Sequence, residues 1–196
     1  MRKPFLLFSN PIELAHLFWE KTLKKGDIVI DATVGNGKDT LALAKSLLKL
    51  EGGTLYGFDI QEAAIKATYD RIQLFAPEFL PSLHLMHTSH ETFPITLRPN
   101  SVSLIVYNLG YLPAADKTIT TLSESTCISI SNALTLLSPG GYLSILCYPG
   151  HAEGAKEFQN IQEISSGLDK TVYCSSIHLF SNRNKSPALI LIQKNV

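Results

Sequence analysis

Along this chain, short runs of β-branched and apolar residues alternate with stretches of helical period, and that alternation narrows the fold more than any other feature. Ile28-Val29-Ile30-Asp31 is too short for a helix and almost wholly apolar, which suits a strand buried on both faces. Thr54 to Asp59, Leu83 to His87, Ser103 to Tyr107 and Tyr142 to Tyr148 repeat the pattern. Helices are expected through Thr40-Leu41-Ala42-Leu43-Ala44, from Glu62 to Leu74, from Lys117 to Leu137 and from His151 to Ser166. Another opens at Asn10-Pro11-Ile12-Glu13, with a capping Asn or Ser, Pro in the first turn and then Glu. It is expected to run to about Lys24, with Leu14, Leu17 and Phe18 on one face, until Gly26-Asp27 ends it. Pro139-Gly140-Gly141 reads as a turn, and Thr171 to Ile177 with Ala188 to Gln193 as a closing hairpin across the polar loop Ser181 to Pro187. Strands alternating with helices build right-handed βαβ units around a parallel sheet. A terminal pair with no helix between its members adds one antiparallel strand. The expectation is an α/β fold: a mostly parallel seven-stranded sheet with one antiparallel strand, helices on both faces, and a single domain over residues 1–196.

Composition removes several classes. Hydrophobic residues make up 45% and charged residues 17%, ordinary values for a packed α/β protein and far from a disordered one. No apolar run approaches the ~20 residues that span a bilayer, so no membrane partner is expected. The start, Met1 to Phe8, is basic and then apolar but reaches Ser9-Asn10-Pro11 without a small-residue cleavage site, so a signal peptide is rejected. Cys127, Cys147 and Cys174 are scattered without metal-like spacing and read as buried free thiols of a reducing cytoplasm. Formal net charge is zero, so any contact with nucleic acid must come from a local patch.

In an open α/β sheet, ligands bind beyond the carboxyl ends of the strands where strand order reverses. The first strand should deliver Asp31-Ala32-Thr33-Val34-Gly35-Asn36-Gly37-Lys38-Asp39-Thr40 to that place. Gly35 and Gly37 allow unusual torsions and a close approach to a ligand. Asp31, at its strand end, is expected to point into the crevice and hold an ammonium group. Asp59, ending the second strand in Gly57-Phe58-Asp59-Ile60-Gln61, can accept both hydroxyls of a ribose. Taken singly, Asp31 could be a helix cap or ion-pair partner and Asp59 a strand-end cap; the correlated set favours a ligand site. A nicotinamide dinucleotide fits poorly, because no third glycine follows Gly35-x-Gly37 and the Asp39 carboxylate repels a pyrophosphate. A donor with no phosphate and a net positive charge fits better, and S-adenosylmethionine is such a molecule. The terminal antiparallel strand likewise separates a methyltransferase-like sheet from a dehydrogenase sheet. The fourth strand ends in Asn108-Leu109-Gly110-Tyr111-Leu112-Pro113, where a polar side chain can accept a hydrogen bond from a target nitrogen and an aromatic ring can stack on a base. Its alternative is a surface turn with a packed Tyr.

These stretches, with Ser89-His90-Glu91, Asp116-Lys117, Ser125-Thr126 and Tyr148-Pro149-Gly150-His151-x-Glu153-Gly154, resemble the family long labelled ribosomal RNA methylases. Its characterised members are tRNA methyltransferases acting on 5-aminomethyl-2-thiouridine at the wobble position. The resemblance covers nearly the whole chain and implies a Rossmann-like class I methyltransferase that uses S-adenosylmethionine and meets a tRNA anticodon stem-loop. By that resemblance Asn36, Asp39, Asp59, Gln61, Ser89 and His90 line the cofactor pocket; the residues alone favour a capping or packed role for His90. The full expected cofactor set adds Asp31, Gly35, Gly37, Thr40 and Ile60. The chain departs from the family pattern at Ala114-Ala115, where two glycines are usual, at Pro149, where His is common, and at Ser186-Pro187, where two prolines stand. The alanine pair stiffens the substrate loop.

For catalysis, the expected residues are Asn108, Tyr111, Asp116 and His151. An amine nucleophile must lose a proton before attack, and Asp116 or His151 could accept it. Asp116-Lys117 reads equally well as a helix cap. Tyr111 or Tyr148 could stack on the uracil ring, a contact worth ~1–3 kcal/mol. Lys38, Lys117, Arg183 and Lys185 are expected to meet RNA, although Ser181 to Lys185 also reads as an ordinary solvated loop. So short a chain has little surface for an RNA stem, and a homodimer is expected on that ground. A methyltransferase for another nucleic acid or small amine, and a silent cofactor- or RNA-binding module, are the competing readings.

Overall fold

A computed structural model describes residues 9–110, 121–184 and 186–196. Seven strands form one sheet in the order β3-β2-β1-β4-β5-β7-β6. The strands are β1 Ile28–Asp31, β2 Thr54–Asp59, β3 Leu83–His87, β4 Val102–Asn108, β5 Leu137–Cys147, β6 Tyr173–His178 and β7 Ala188–Lys194. Each of β1 to β5 runs parallel to its neighbours within that group. β7 is antiparallel to both β5 and β6, so the direction of a single strand is reversed. The chain leaves β1 toward β2 and β3, then crosses back to place β4 on the other side of β1. That reversal opens a crevice beyond the carboxyl ends of β1 and β4.

Alternation along the strands divides the core between two faces. Val29, Leu104, Val106 and Leu189 pack with Ala15, Trp19, Leu43, Leu47 and Ile72 of α1 Pro11–Thr22, α2 Lys38–Lys49 and α3 Glu62–Phe75. Ile30, Ile105, Tyr107 and Ile190 pack with Ile130, Ala133 and Ile161 of α4 Ser123–Leu136 and α5 Ala152–Gly167. Helices therefore cover both faces, and the central strands are apolar on each side as a buried parallel sheet requires.

Several local expectations are corrected. The buried face of α1 is Pro11, Ala15 and Trp19, whereas Leu17 is exposed. Trp19 turns inward because its indole N–H donates to Ser144 Oγ at 3.0 Å, a partner remote in sequence. Within the expected helix from Lys117 to Leu137, α4 begins only at Ser123 and ends at Leu136; residues 117–120 lie outside the described residues. Pro139-Gly140-Gly141 is drawn into β5 rather than forming a separate turn. The β4–β5 register shifts between Val102 and Leu104, and Gly140 takes φ 77° with its N–H bonded to Asn195 O. A 3₁₀ turn over Pro77–Ser82, not expected from the sequence, leads into β3. All three cysteines are free, but Cys174 is exposed on the edge strand β6 and only Cys147 is buried. Among the described residues no helix is long and apolar enough to cross a membrane.

Candidate functional site

The turn after β1 is held in place by the helix beside it. Gly35 and Gly37 take φ 52° and 70°. Thr68 of α3 donates to Gly35 O at 3.2 Å, and Arg71 Nε donates to Asn36 O at 2.6 Å. A Cβ on Gly37 would lie 2.8 Å from Thr68 Cα, so only glycine lets the turn approach α3 this closely. Asp59, at the end of β2, accepts Gly35 N–H at 3.0 Å on one oxygen and Gln61 N–H at 2.9 Å on the other. One carboxylate thus fixes the turns after both β1 and β2.

A cavity of about 300 Å³ opens over this arrangement. Ala32, Thr33 and Gly35 line it beside Asp59, Ile60 and Gln61, Ser89 to Glu91 form a further wall, and Asn108, Gly110, Thr121, Leu122 and Ser125 close the opposite side. Ile60 is 55% exposed and presents an apolar surface there. His90 is buried, and its Nε2 has no hydrogen-bond partner among the described residues. Burial pushes its pKa down, against the pull of the Glu91 and Asp59 carboxylates, which favours the neutral ring. Tyr107 donates to Ser129 Oγ at 2.8 Å and Ser129 to His90 O at 2.7 Å, so a buried chain sets the height of His90.

A second cavity of about 120 Å³ adjoins the first through Thr33, Gly35 and Asn108, and is completed by Val34, Asn36, Lys38, Asp39 and Tyr148. Asn108 therefore faces both spaces. Its backbone N–H donates to Thr33 Oγ1 at 2.7 Å and its side-chain Nδ2 to Asp39 Oδ2 at 2.9 Å. Asp39 also receives His16 Nε2, on its other oxygen, at 2.8 Å. Burial and the Asp39 charge push the Tyr148 phenol up to about 12, so it stays protonated.

Asp31 does not enter the crevice as expected. It is fully buried, accepting Thr40 Oγ1 at 2.7 Å and Thr33 N–H at 3.2 Å, behind the wall rather than in it. Burial, reinforced by the Asp39 charge, pushes it up to about 7 despite those two hydrogen bonds. It braces the turn, and Thr40 is its partner. His151 caps α5: its Nδ1 accepts Gly154 N–H at 3.1 Å. That nitrogen is the one a neutral ring would use to take up a proton, so service as a base would break the cap. Arg183 donates to Ser9 O at 2.9 Å and lies over the Phe180 ring at 4.2 Å, tying the β6–β7 loop to the start of α1. Tyr111, Asp116, Lys117 and Lys185 lie outside the described residues.

The sequence reading missed His16, Thr33, Thr121 and Glu157. Glu157 is buried on α5 and accepts Thr126 Oγ1 at 2.6 Å and Thr121 Oγ1 at 3.0 Å, while Thr121 Oγ1 accepts Gly110 N–H at 2.9 Å. Its pKa is raised by burial, partly offset by the two threonines. No local pattern announces these partners, which come from separate elements. Among the described residues no group of three or more His, Cys, Asp or Glu side chains is placed to hold a metal.

Residues 55–194 match the family model described as Putative rRNA methylase. The chain is also 35% identical over 187 residues to an Arabidopsis thaliana protein named tRNA (mnm(5)s(2)U34)-methyltransferase, chloroplastic, covering 93% of this chain and 68% of that one. The chain belongs to the rRNA methylase family. Solved structures share its fold closely. A Clostridium thermocellum protein described as a putative rRNA-methylase superposes with a TM-score of 0.87 at 32% identity, covering 96% of this chain and 100% of that one. A Streptococcus mutans protein described as a putative methyltransferase, solved in complex with SAH, superposes with a TM-score of 0.79 at 31% identity, covering 96% of this chain and 99% of that one. The family match begins within β2, so α1, β1 and α2, which carry His16, Asp31 and Asp39, lie outside it.

Proposed function

We propose that this protein is an S-adenosylmethionine-dependent tRNA methyltransferase, a single catalytic domain that N-methylates the 5-aminomethyl group of a wobble (thio)uridine. One observation carries the reading: Asp59, the Gly35 turn and His90 share a cavity with Asn108, so a nucleoside grip and an amine-accepting group face the same space. The donor set suits the cofactor. Asp59 offers lone pairs beyond those given to Gly35 and Gln61 for the two ribose hydroxyls. Ser89 and the neutral His90, with its unsatisfied Nε2, suit an adenine edge, and Ile60 suits the adenine face. Nothing in the turn demands a phosphate. When bound, S-adenosylmethionine supplies an electrophilic methyl group on a sulfonium.

The protein's own contribution is alignment. Asn108 holds a target amine by accepting one of its N–H groups and leaves the nitrogen lone pair toward the first cavity. Tyr148, beside Asn108, offers a ring for the uracil and a phenol that stays protonated. A wobble base is already unpaired, so little energy is needed to splay it out. Tyr111 and Asp116 keep their proposed roles at the substrate. With the His151 cap engaged, Asp116 is preferred to His151 as proton acceptor. Lys38, Lys117, Arg183 and Lys185 would meet the anticodon stem-loop, a homodimer would enlarge that surface, and the cytoplasm is the proposed compartment.

The test is incubation of the protein with labelled S-adenosylmethionine and tRNA lacking the final methyl group, followed by mass spectrometry of the nucleosides. Label in 5-methylaminomethyl-2-thiouridine is the expected result. Label confined to ribosomal RNA or to small amines would overturn the substrate, and no transfer would overturn the activity.

A further inference from the structure

The side-chain amide of Asn108 can present either its carbonyl oxygen or its NH₂ group to the two cavities, and the two choices select opposite chemistry. An NH₂ group aimed at the substrate would donate to the lone pair of a target nitrogen and block attack. A carbonyl oxygen accepts an N–H and leaves that lone pair free. We propose that Asp39, held by His16, is the positioning pair that fixes Asn108 in the amine-accepting orientation. This rests on the methyltransferase reading above and assigns Asp39 a role other than gripping the cofactor.

The geometry argues it directly. An ionised carboxylate only accepts, so the Asn108 group at 2.9 Å from Asp39 Oδ2 must be the NH₂. The Asn108 backbone is pinned separately by Thr33 Oγ1 at 2.7 Å, so turning the residue as a whole cannot reverse the amide. Oδ1 is left as the acceptor in a residue that lines both cavities. His16 Nε2 at 2.8 Å occupies the other Asp39 oxygen, which keeps the carboxylate from rotating away. His16 is itself placed by its ring contact with Trp19, 4.6 Å between centroids, and Trp19 is anchored by Ser144. Asp39 lines the smaller cavity and does not line the larger one that holds Asp59 and His90.

Asp39→Asn tests the pair with little change of shape. The new amide can donate to Asn108 Oδ1, allowing Asn108 to turn its NH₂ toward the substrate. Expected is a kcat about 10- to 100-fold lower, with KM for tRNA and the calorimetric Kd for S-adenosylmethionine within about threefold. His16→Phe keeps a ring beside Trp19 but removes the donor, and is expected to lower kcat about three- to tenfold; His16→Gln restores a donor and should recover most of that loss. A cofactor Kd that weakens in step with kcat in Asp39→Asn would make Asp39 a cofactor ligand and overturn the proposal. So would an unchanged kcat, or His16→Gln no better than His16→Phe. The nitrogen-15 resonance of the Asn108 side-chain NH₂ reads the same point without turnover: one proton is expected to be shifted downfield in the wild type and to lose that shift in Asp39→Asn. If wild-type protein transfers no methyl to tRNA, the functional reading fails, while this resonance still decides whether Asp39 orients Asn108; absence of the shift overturns the inference.

Discussion

The two rims of the main cavity are held by different means. On the β1–β2 rim, carboxylates bind backbone N–H groups within their own turns or in the neighbouring one: Asp59 holds Gly35 and Gln61, and Asp31 holds Thr33. On the β4–β5 rim, side chains from separate helices are relayed: Gly110 to Thr121, Thr121 to Glu157, and Asn108 to Asp39 to His16. The first rim is a local device made of glycine turns and strand-end acids. The second exists only once α1, α2 and α5 have docked. A fixed donor can be gripped by the first, whereas the second is where a substrate requirement can be tuned by distant residues.

The largest effect expected on the first rim is on its pH dependence. Folding raises the Asp31 pKa from 3.8 to about 7, so the folded state binds that proton more tightly than the unfolded chain. The stabilising contribution is present below the unfolded value and is lost as pH rises through about 7. The unfolding free energy of wild type relative to Asp31→Asn should therefore fall by on the order of a few kcal/mol between pH 4 and pH 8; a flat difference in chemical denaturation would break the account of this rim. Next, Asp59→Ala removes the proposed ribose acceptor and frees two backbone N–H groups. Cofactor affinity should weaken at least ~100-fold by calorimetry, roughly the sum of two charge-assisted hydrogen bonds. Gly37→Ala places a Cβ against Thr68 at a left-handed φ and should destabilise by about 2 kcal/mol or more in urea.

The contrast between the rims is also a contrast in what the amino-acid sequence discloses. β1, β2 and β3 have the bounds expected from their apolar runs. Each run is short and is closed by a strand-end acid or a polar residue; burial within the sheet accounts for the apolar runs of β1 and β2, whereas β3 is a half-exposed edge strand marked by its Leu-His-Leu-Met-His pattern. The left-handed torsions of Gly35 and Gly37 and the place of Asp59 at the end of β2 were legible because they depend on residues close in sequence or on the sheet order. The expected face of α1 holds for Leu14 and Phe18, which pack against the core, but it includes the exposed Leu17 and misses Trp19, which answers to Ser144 on β5; the Asp31 side chain turns away from the crevice because Thr40 captures it. α4 starts later than its composition suggests, since Thr121 and Leu122 line the cavity and Thr121 is held by Glu157 instead of by a helical turn. His16 carried no signal at all, because nothing in α1 indicates that it will meet α2.

The smallest effect belongs to the second rim. Glu157→Gln keeps the shape but offers only one acceptor to two threonine hydroxyls, so one of them must turn. A loss of about 1–2 kcal/mol is expected in thermal unfolding, with kcat reduced more than cofactor affinity. Equal loss of both would mean that the two rims are one mechanical unit.

Following backbone and histidine nitrogen resonances during a titration with S-adenosylmethionine probes the cofactor grip most directly. Saturable shifts at the Gly35 and Gln61 amides and at His90 Nε2, all with one common Kd, are the expected result. Saturation of binding with those three signals unmoved would contradict the assignment of this cavity to the methyl donor.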